Sequence, residues 1–316
     1  MLEFLFLIAG MAGLWFGSEV LVRGAESLTR RFRLSDAAFG MLVLAVGTDL
    51  PELFVAVDAS VRSLHGEDLS GIVIGSAVGS SVGQFALVFG AAGMIGFEAL
   101  RRRYLARNTL FLVGSVVALF GFSLGGVISR FEGFLLGAAY AIYLYVVISR
   151  RAQSPDANHT AAGDASIKDW LYLASGLVLL LLSAELTVAS AIDFARIVGL
   201  SNVAVSAVII GMGSSLPELS VSFAALLKGR GQLSAGNLIG SNILDTLLVP
   251  GLAAMISPLA VPPAVLLIDL PALMLVSVLV ILFMYVSRRG IRKLEALILL
   301  AIYAAYVMIR LTGPGS

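Results

Sequence analysis

Apolar runs long enough to cross a bilayer follow one another along this chain, parted by short connections where arginine and lysine gather. A membrane-spanning helix needs about 20 predominantly apolar residues. Ten stretches qualify, at roughly 2–22, 36–61, 70–96, 107–126, 131–149, 169–195, 202–227, 233–256, 264–287 and 293–311. The pattern predicts an all-α membrane protein with ten transmembrane helices. The connection from Arg150 to Lys168 is extended and polar, with Pro155, Asp156, Asn158, His159 and Asp164. It divides the chain into a first five-helix unit, 1–149, a linker, 150–168, and a second five-helix unit, 169–316. The first run opens Met1-Leu2-Glu3-Phe4 without a basic lead and reads as a retained helix rather than a cleaved signal.

Composition supports this reading. Hydrophobic residues make up 59% of the chain and charged residues 13%, against about 25% charged in soluble domains. The absence of cysteine rules out a disulfide framework and a thiolate metal site. Placement of charge says more than its total. Of the 21 lysines and arginines, 17 fall in the odd-numbered connections, grouped at 23–33, 101–107, 150–168, 228–230 and 288–293, while Arg62, Arg130, Arg196 and Arg310 fall on the other side. Basic residues favour the cytoplasmic side. The odd connections, the 150–168 linker among them, are therefore expected in the cytoplasm of a multi-pass cell-membrane protein, with both termini extracellular.

Within the apolar stretches one motif occurs twice, 166 residues apart: Gly47-Thr48-Asp49-Leu50-Pro51-Glu52-Leu53 and Gly213-Ser214-Ser215-Leu216-Pro217-Glu218-Leu219. An ionisable group deep in a bilayer costs about 3 kcal/mol on insertion scales. Carrying that cost at two matched positions points to one shared use. The same offset relates Gly17-Ser18-Glu19 to Ser183-Ala184-Glu185. A second motif pair, from Gly75 to Gln84 and from Gly236 to Asp245, matches at an offset of 161. Each unit holds an odd number of spans, so the two are expected as inverted five-helix repeats, an arrangement that places a substrate site near the midplane.

The repeated residues form an oxygen-rich set. Thr48 and Glu52 share a helical face, as do Ser214 and Glu218. Pro51 and Pro217 lack an N–H, which frees the carbonyls of Gly47 and Gly213. Ser80 with Gln84, and Ser241 with Asp245, repeat the four-residue spacing. Carboxylate, hydroxyl and carbonyl oxygens suit hard cations such as Ca²⁺ and Na⁺. Glycines 71, 75, 79 and 83, and Gly236 with Gly240, form small-residue ridges expected to bring helices into close contact. Asp58 and Asp269 have no repeat counterpart and read as entrance-lining or structural.

In these motifs the chain resembles the cation/Ca²⁺ antiporter superfamily, and within it the prokaryotic sodium/calcium exchangers. The resemblance spans nearly the whole sequence. It implies that Glu52 and Glu218 are the chief Ca²⁺ ligands, and that Thr48, Ser80, Ser214, Ser215, Ser241 and Asp245 help bind Na⁺ or Ca²⁺. Ala45 and Gly211 match positions that offer backbone carbonyls. The first and sixth helices, carrying Glu19 and Glu185, would slide across the rest to gate access. The first repeat departs from the pattern: Asp49 stands where a serine is usual and Gln84 where an asparagine is usual. Asp49 adds a fourth carboxyl that either joins Glu52, Glu218 and Asp245 or points away, toward a pore wall or a polar partner. Four such groups cannot all ionise cheaply without metal, so a proton is expected to compete with or replace Na⁺.

The expected function is secondary-active exchange of Ca²⁺ for Na⁺ by alternating access, the alternative being H⁺-coupled antiport of Ca²⁺ or another divalent cation on the same scaffold. A phosphate-binding loop is absent from the sequence, so an ion gradient supplies the energy. No enzyme activity, cofactor or nucleic-acid partner is expected. The expected partners are the transported cations and the lipid bilayer, and the expected state is a monomer. A passive cation channel could use the same oxygens, but broken helices in inverted repeats favour a transporter. An intramembrane aspartyl hydrolase would need a water between two carboxyls, whereas here a full set of hydroxyls accompanies them.

Overall fold

The computed structural model describes residues 2–32, 34–67, 69–95, 102–149, 167–197, 213, 215–286 and 290–312. Eleven helical segments make up the described fold. The first, α1 (Leu2–Arg31), runs past the apolar stretch of 2–22. Ion pairs one turn apart support the extension: Arg23 with Glu19 at 2.8 Å, and Arg30 with Glu26. The second stretch is broken. Helix α2 (Asp36–Thr48) and helix α3 (Leu50–Ser63) meet at 47°. Then come α4 (Ser70–Ile95), α5 (Arg102–Ser123) and α6 (Arg130–Ser149). After residues 150–166, which carry most of the expected linker and lie outside the described residues, the chain forms α7 (Ile167–Ile197). Of the expected seventh stretch, 202–212 also lies outside them. The described remainder gives α8 (Leu216–Leu227), followed by α9 (Gly231–Ile256), α10 (Val265–Val286) and α11 (Lys293–Thr312). A two-residue antiparallel pair, β1 (Val127–Ile128) with β2 (Leu259–Ala260), ties the turn after α5 to the turn after α9.

Among the described residues, seven helices are long and apolar enough to cross a membrane, or eight if the bent α2–α3 pair is one span. The apolar part of α5, Asn108–Ser123, and helix α8 are shorter. The protein is an all-helical, multi-pass membrane protein. Its surface has the polarity a lipid solvent selects: Phe54, Leu110, Phe131, Leu267 and Leu294 point large apolar side chains outward.

Helices α4 and α9 are largely buried and form the centre, whereas α1 and α7 are largely exposed and lie at the periphery. Small residues make both arrangements possible. A Cβ placed on Gly240 would lie 2.8 Å from both the Met41 Cα and the Ala45 Cβ, so α9 touches the backbone of α2. The ridge expected on α4 is looser among the described residues: a Cβ on Gly75 would meet Val265 at 4.0 Å, and one on Gly79 would meet the Tyr306 hydroxyl at 3.9 Å. At the periphery, α1 and α7 run antiparallel and pack chiefly on each other. Gly10 faces Thr187, Gly17 faces Leu180, and Gly24 faces Leu173 and Asp169. This glycine seam lets two long helices lie backbone to backbone with little interlocking.

Candidate functional site

A helix break at Asp49 and a helix start after Ser215 build the site. Asp49 joins α2 to α3 with φ −87° and ψ 3°, and Ser215 precedes α8 with φ −90° and ψ 2°. Neither conformation continues a helix. Each is followed by a proline at the second position of the new helix, Pro51 or Pro217, where a missing N–H costs nothing. Glu52 and Glu218 then fall in first turns, whose orphan N–H groups and positive dipole end favour an anion.

The partner helices carry a second irregularity. Helix α4 widens to a π-helical turn over Gln84–Val88, and α9 does the same over Leu244–Leu248, which includes Asp245. Helix α2 has its own wide turn at Gly40–Leu44, just before Ala45. Single wide turns of this kind re-aim side chains and recur at functional sites.

The side chains converge in the interior. Thr48, Asp49, Ser80, Gln84, Ser215, Glu218, Ser241 and Asp245 are all buried, and Glu52 is half-buried. The four carboxyl groups of Asp49, Glu52, Glu218 and Asp245 lie within electrostatic reach of one another. Across the centre, the Ser80 and Ser215 hydroxyls are 3.3 Å apart. Gln84 Nε2 donates to Ser80 Oγ at 3.2 Å and to Asp245 Oδ2 at 3.4 Å. Thr48 Oγ1 donates back to the Leu44 and Ala45 carbonyls, at 3.1 and 3.3 Å, which leaves its lone pairs facing away from its own helix. The Ala45 carbonyl also accepts the Asp49 N–H at 3.0 Å.

Many of these oxygens have no protein partner. Both carboxyl oxygens of Asp49 and of Glu218, one each of Glu52 and Asp245, and the hydroxyls of Ser81 and Ser241 are buried without a hydrogen bond among the described residues. Leaving one buried polar group unsatisfied costs about 1–3 kcal/mol, and more when it is charged. Such a concentration marks a place meant for a ligand that supplies positive charge. Among the described residues, no three carboxyl or imidazole groups close on a single point. The arrangement is an extended oxygen-lined chamber rather than one compact metal cage.

The structure thus brings together Thr48, Asp49, Glu52, Ser80, Gln84, Ser215, Glu218 and Asp245, with Ala45 at their edge. Ser241 lies one turn from Asp245, on the same face. Ser214 and Gly211 lie outside the described residues. Glu19 and Glu185 stand apart from the cluster. Glu19 pairs with Arg23 and, at 3.5 Å, with Lys228, while Glu185 is exposed on α7. Asp269 is structural: it accepts the Tyr306 hydroxyl at 3.0 Å and pairs with Arg310 at 3.3 Å, joining α10 to α11. Asp58 is an exposed residue 3.9 Å from Arg62. Sequence reading missed Ser81 and Asn242, both fully buried beside the cluster. The signal was available, since they are matched positions, 161 apart, in the second motif pair.

A buried chamber of carboxylates and hydroxyls, set at a broken helix in a multi-pass membrane protein, defines an ion transporter. The chain belongs to the sodium/calcium exchanger protein family, whose sequence model matches residues 2–149 and 168–312. This is a family of transporters, not of enzymes. The chain is 25% identical to the sodium/calcium exchanger MaX1 of Methanosarcina acetivorans, over 97% of this chain and 98% of that one. It is 30% identical to the inner membrane protein YrbG of Escherichia coli, over 86% of each. A solved structure of the sodium-calcium exchanger NCX_Mj superposes with a TM-score of 0.84 at 27% identity, covering 97% of this chain and 98% of the other.

Proposed function

We infer that this chain is a secondary-active antiporter that exchanges Ca²⁺ for Na⁺ across the membrane by alternating access. The observation that carries this reading is the set of buried oxygens on Asp49, Glu52, Glu218 and Asp245, unpartnered among the described residues, at the Asp49 break and the start of α8. Ca²⁺ binds between Glu52 and Glu218. Na⁺ binds the same carboxylates with Thr48, Ser80, Ser214, Ser215, Ser241 and Asp245, and the Ala45 and Gly211 carbonyls complete the shell. Shared ligands make occupancy mutually exclusive, and that exclusion couples the two fluxes. Each ion shifts the access equilibrium by its differential affinity for the two states.

Ten spans in two inverted repeats, 1–149 and 169–316, place this site at the midplane. Three observations support the inversion. Asp49 and Ser215, each just ahead of a helix start, share one backbone conformation. The wide turns of α4 and α9 begin within a residue of matched positions. Adding 166 to Gly10 and subtracting it from Thr187 turns the contact Gly10–Thr187 into Gly176–Leu21, and that contact also exists. The seam of α1 with α7 makes these two helices, with Glu19 and Glu185, the sliding element. Lysine and arginine placement puts both termini outside and the 150–168 linker in the cytoplasm. The protein works as a monomer in the lipid bilayer.

A second counter-ion is favoured by Asp49, a buried carboxyl with neither oxygen satisfied among the described residues. With four carboxyls in one chamber, H⁺ competes with Na⁺ and can replace it. The test is radiocalcium uptake into proteoliposomes under an imposed Na⁺ gradient, then under a pH gradient, with Glu52→Gln as the inactive control. Gradient-driven uptake is expected. Calcium flux that needs no counter-ion would mean a channel, and no flux under either gradient would end the calcium reading.

A further inference from the structure

One polar chain in the core has a direction. Asn242 is fully buried, and its Nδ2 donates to the Leu238 carbonyl at 2.8 Å and to Gln84 Oε1 at 2.7 Å. A carbonyl only accepts, so Leu238 fixes which end of the Asn242 amide is nitrogen. Asn242 then fixes Gln84: its oxygen faces Asn242, and its nitrogen faces Ser80 Oγ at 3.2 Å and Asp245 Oδ2 at 3.4 Å. Turning the Gln84 amide over would set NH₂ against NH₂ at Asn242 and oxygen against carboxylate at Asp245. The far end agrees, because Ser215 Oγ donates to the Ser80 carbonyl at 3.4 Å and is free to accept from the Ser80 hydroxyl. The protons from Asn242 to Gln84, from Gln84 to Ser80 and Asp245, and from Ser80 to Ser215 therefore all run one way, toward the chamber.

We propose that Asn242 is a positioning residue that sets the counter-cation requirement of the site, by holding Gln84 as a hydrogen-bond donor to Asp245. Gln84 was expected to offer a ligand oxygen. Held this way it offers N–H instead, a partial positive charge that satisfies one oxygen of Asp245 and leaves Oδ1 for a transported ion. The two repeats divide this work. Position 84 matches 245 and position 81 matches 242, so Asn242 supports Gln84 as Ser81 flanks Asp245. The proposal rests on the antiport reading.

Asn242→Leu releases the Gln84 amide. Asp245 loses its internal donor and the Gln84 oxygen becomes free to join the cation shell, so counter-cations bind more tightly and leave more slowly. The measurement is Na⁺-driven radiocalcium uptake at fixed pH by wild type, Asn242→Leu, Gln84→Leu and the double variant. In Asn242→Leu the half-saturating Na⁺ concentration falls by about tenfold and the maximal rate falls with it. In the double variant it matches Gln84→Leu alone, because Asn242 acts through Gln84. A merely structural role loosens the site and raises half-saturation. Gln84→Glu has nearly the same shape and keeps the bond from Asn242 while replacing the donor with an oxygen; it should lower half-saturation too, and it decides the matter if Asn242→Leu does not fold. Unchanged or raised half-saturation in the folded variants, or additive effects in the double, would overturn the proposal. Wild type that shows no gradient-driven uptake would overturn the antiport reading, and this proposal with it.

Discussion

Asp49 is the residue at which this site is least like a plain hydroxyl-and-carboxylate cage. It is buried, sits at the bend between α2 and α3, and lies within reach of Asp245, Glu218 and Glu52. Protons and cations compete for the same oxygens. Each added carboxylate makes the next harder to ionise, because like charges in a poorly solvated chamber repel. Removing one should relax that competition. Asp49→Ser is expected to keep Ca²⁺ uptake active to more acidic pH than wild type and to weaken uptake driven by a pH gradient more than uptake driven by Na⁺. Identical pH profiles for the two proteins would place Asp49 outside the coupled set. Its presence was legible in the motif; its closeness to the Glu218, Glu52 and Asp245 carboxyls was not, since that depends on how distant helices pack.

At the scale of elements, the contact between α9 and α2 decides where the chamber walls stand. Gly240 faces backbone and Cβ atoms of α2 that cannot yield to an added methyl. Gly240→Ala should cost about 1–3 kcal/mol through overpacking and push Ala45 and Thr48 away from the chamber. Thermal unfolding in detergent and Ca²⁺ uptake would both register it. Gly114→Ala is the matched control, because no described atom lies within 4 Å of the added carbon; it should be neutral or slightly stabilising. A small-residue ridge was readable in both repeats. That the second grips its neighbour more tightly than the first, among the described residues, was not, because glycine spacing shows where a close approach is possible and not what approaches.

For the whole molecule, the proposed sliding of the peripheral pair of α1 and α7 against the centre can be tested at one contact. The C-terminal half of α1 is fastened to the turn between α8 and α9. Lys228 reaches the Glu19 carboxylate at 3.5 Å and donates to its carbonyl at 3.1 Å, while Arg230 joins Glu26 at 3.6 Å to Asp36 at the start of α2. Gly229, with φ +69°, makes the tight turn that presents both cations. If α1 slides during the cycle, fixing this end should stop exchange. The chain has no cysteine, so a Glu19→Cys, Lys228→Cys pair can be bridged selectively by a short bifunctional thiosulfonate. Bridging should arrest Ca²⁺ uptake and a reductant should restore it. Full activity of the bridged protein would show that α1 stays fixed at this point.

The sequence by itself determined the membrane setting, the two matched motifs, the helix break ahead of Pro51, and the pool of oxygens from which a cation site is built. These follow from local properties: hydropathy over a span, a missing N–H, the cost of a carboxylate in lipid. Only the tertiary structure decided that Gln84 and Asp245 meet across the centre, that the amide turns its nitrogen inward, and that Asn242 is the residue that turns it. It likewise decided the antiparallel register of α1 on α7 and the three-way link of Glu26, Arg230 and Asp36. Those features arise where distant helix faces come together, and an amide has no preferred end until its neighbours supply a donor on one side and an acceptor on the other.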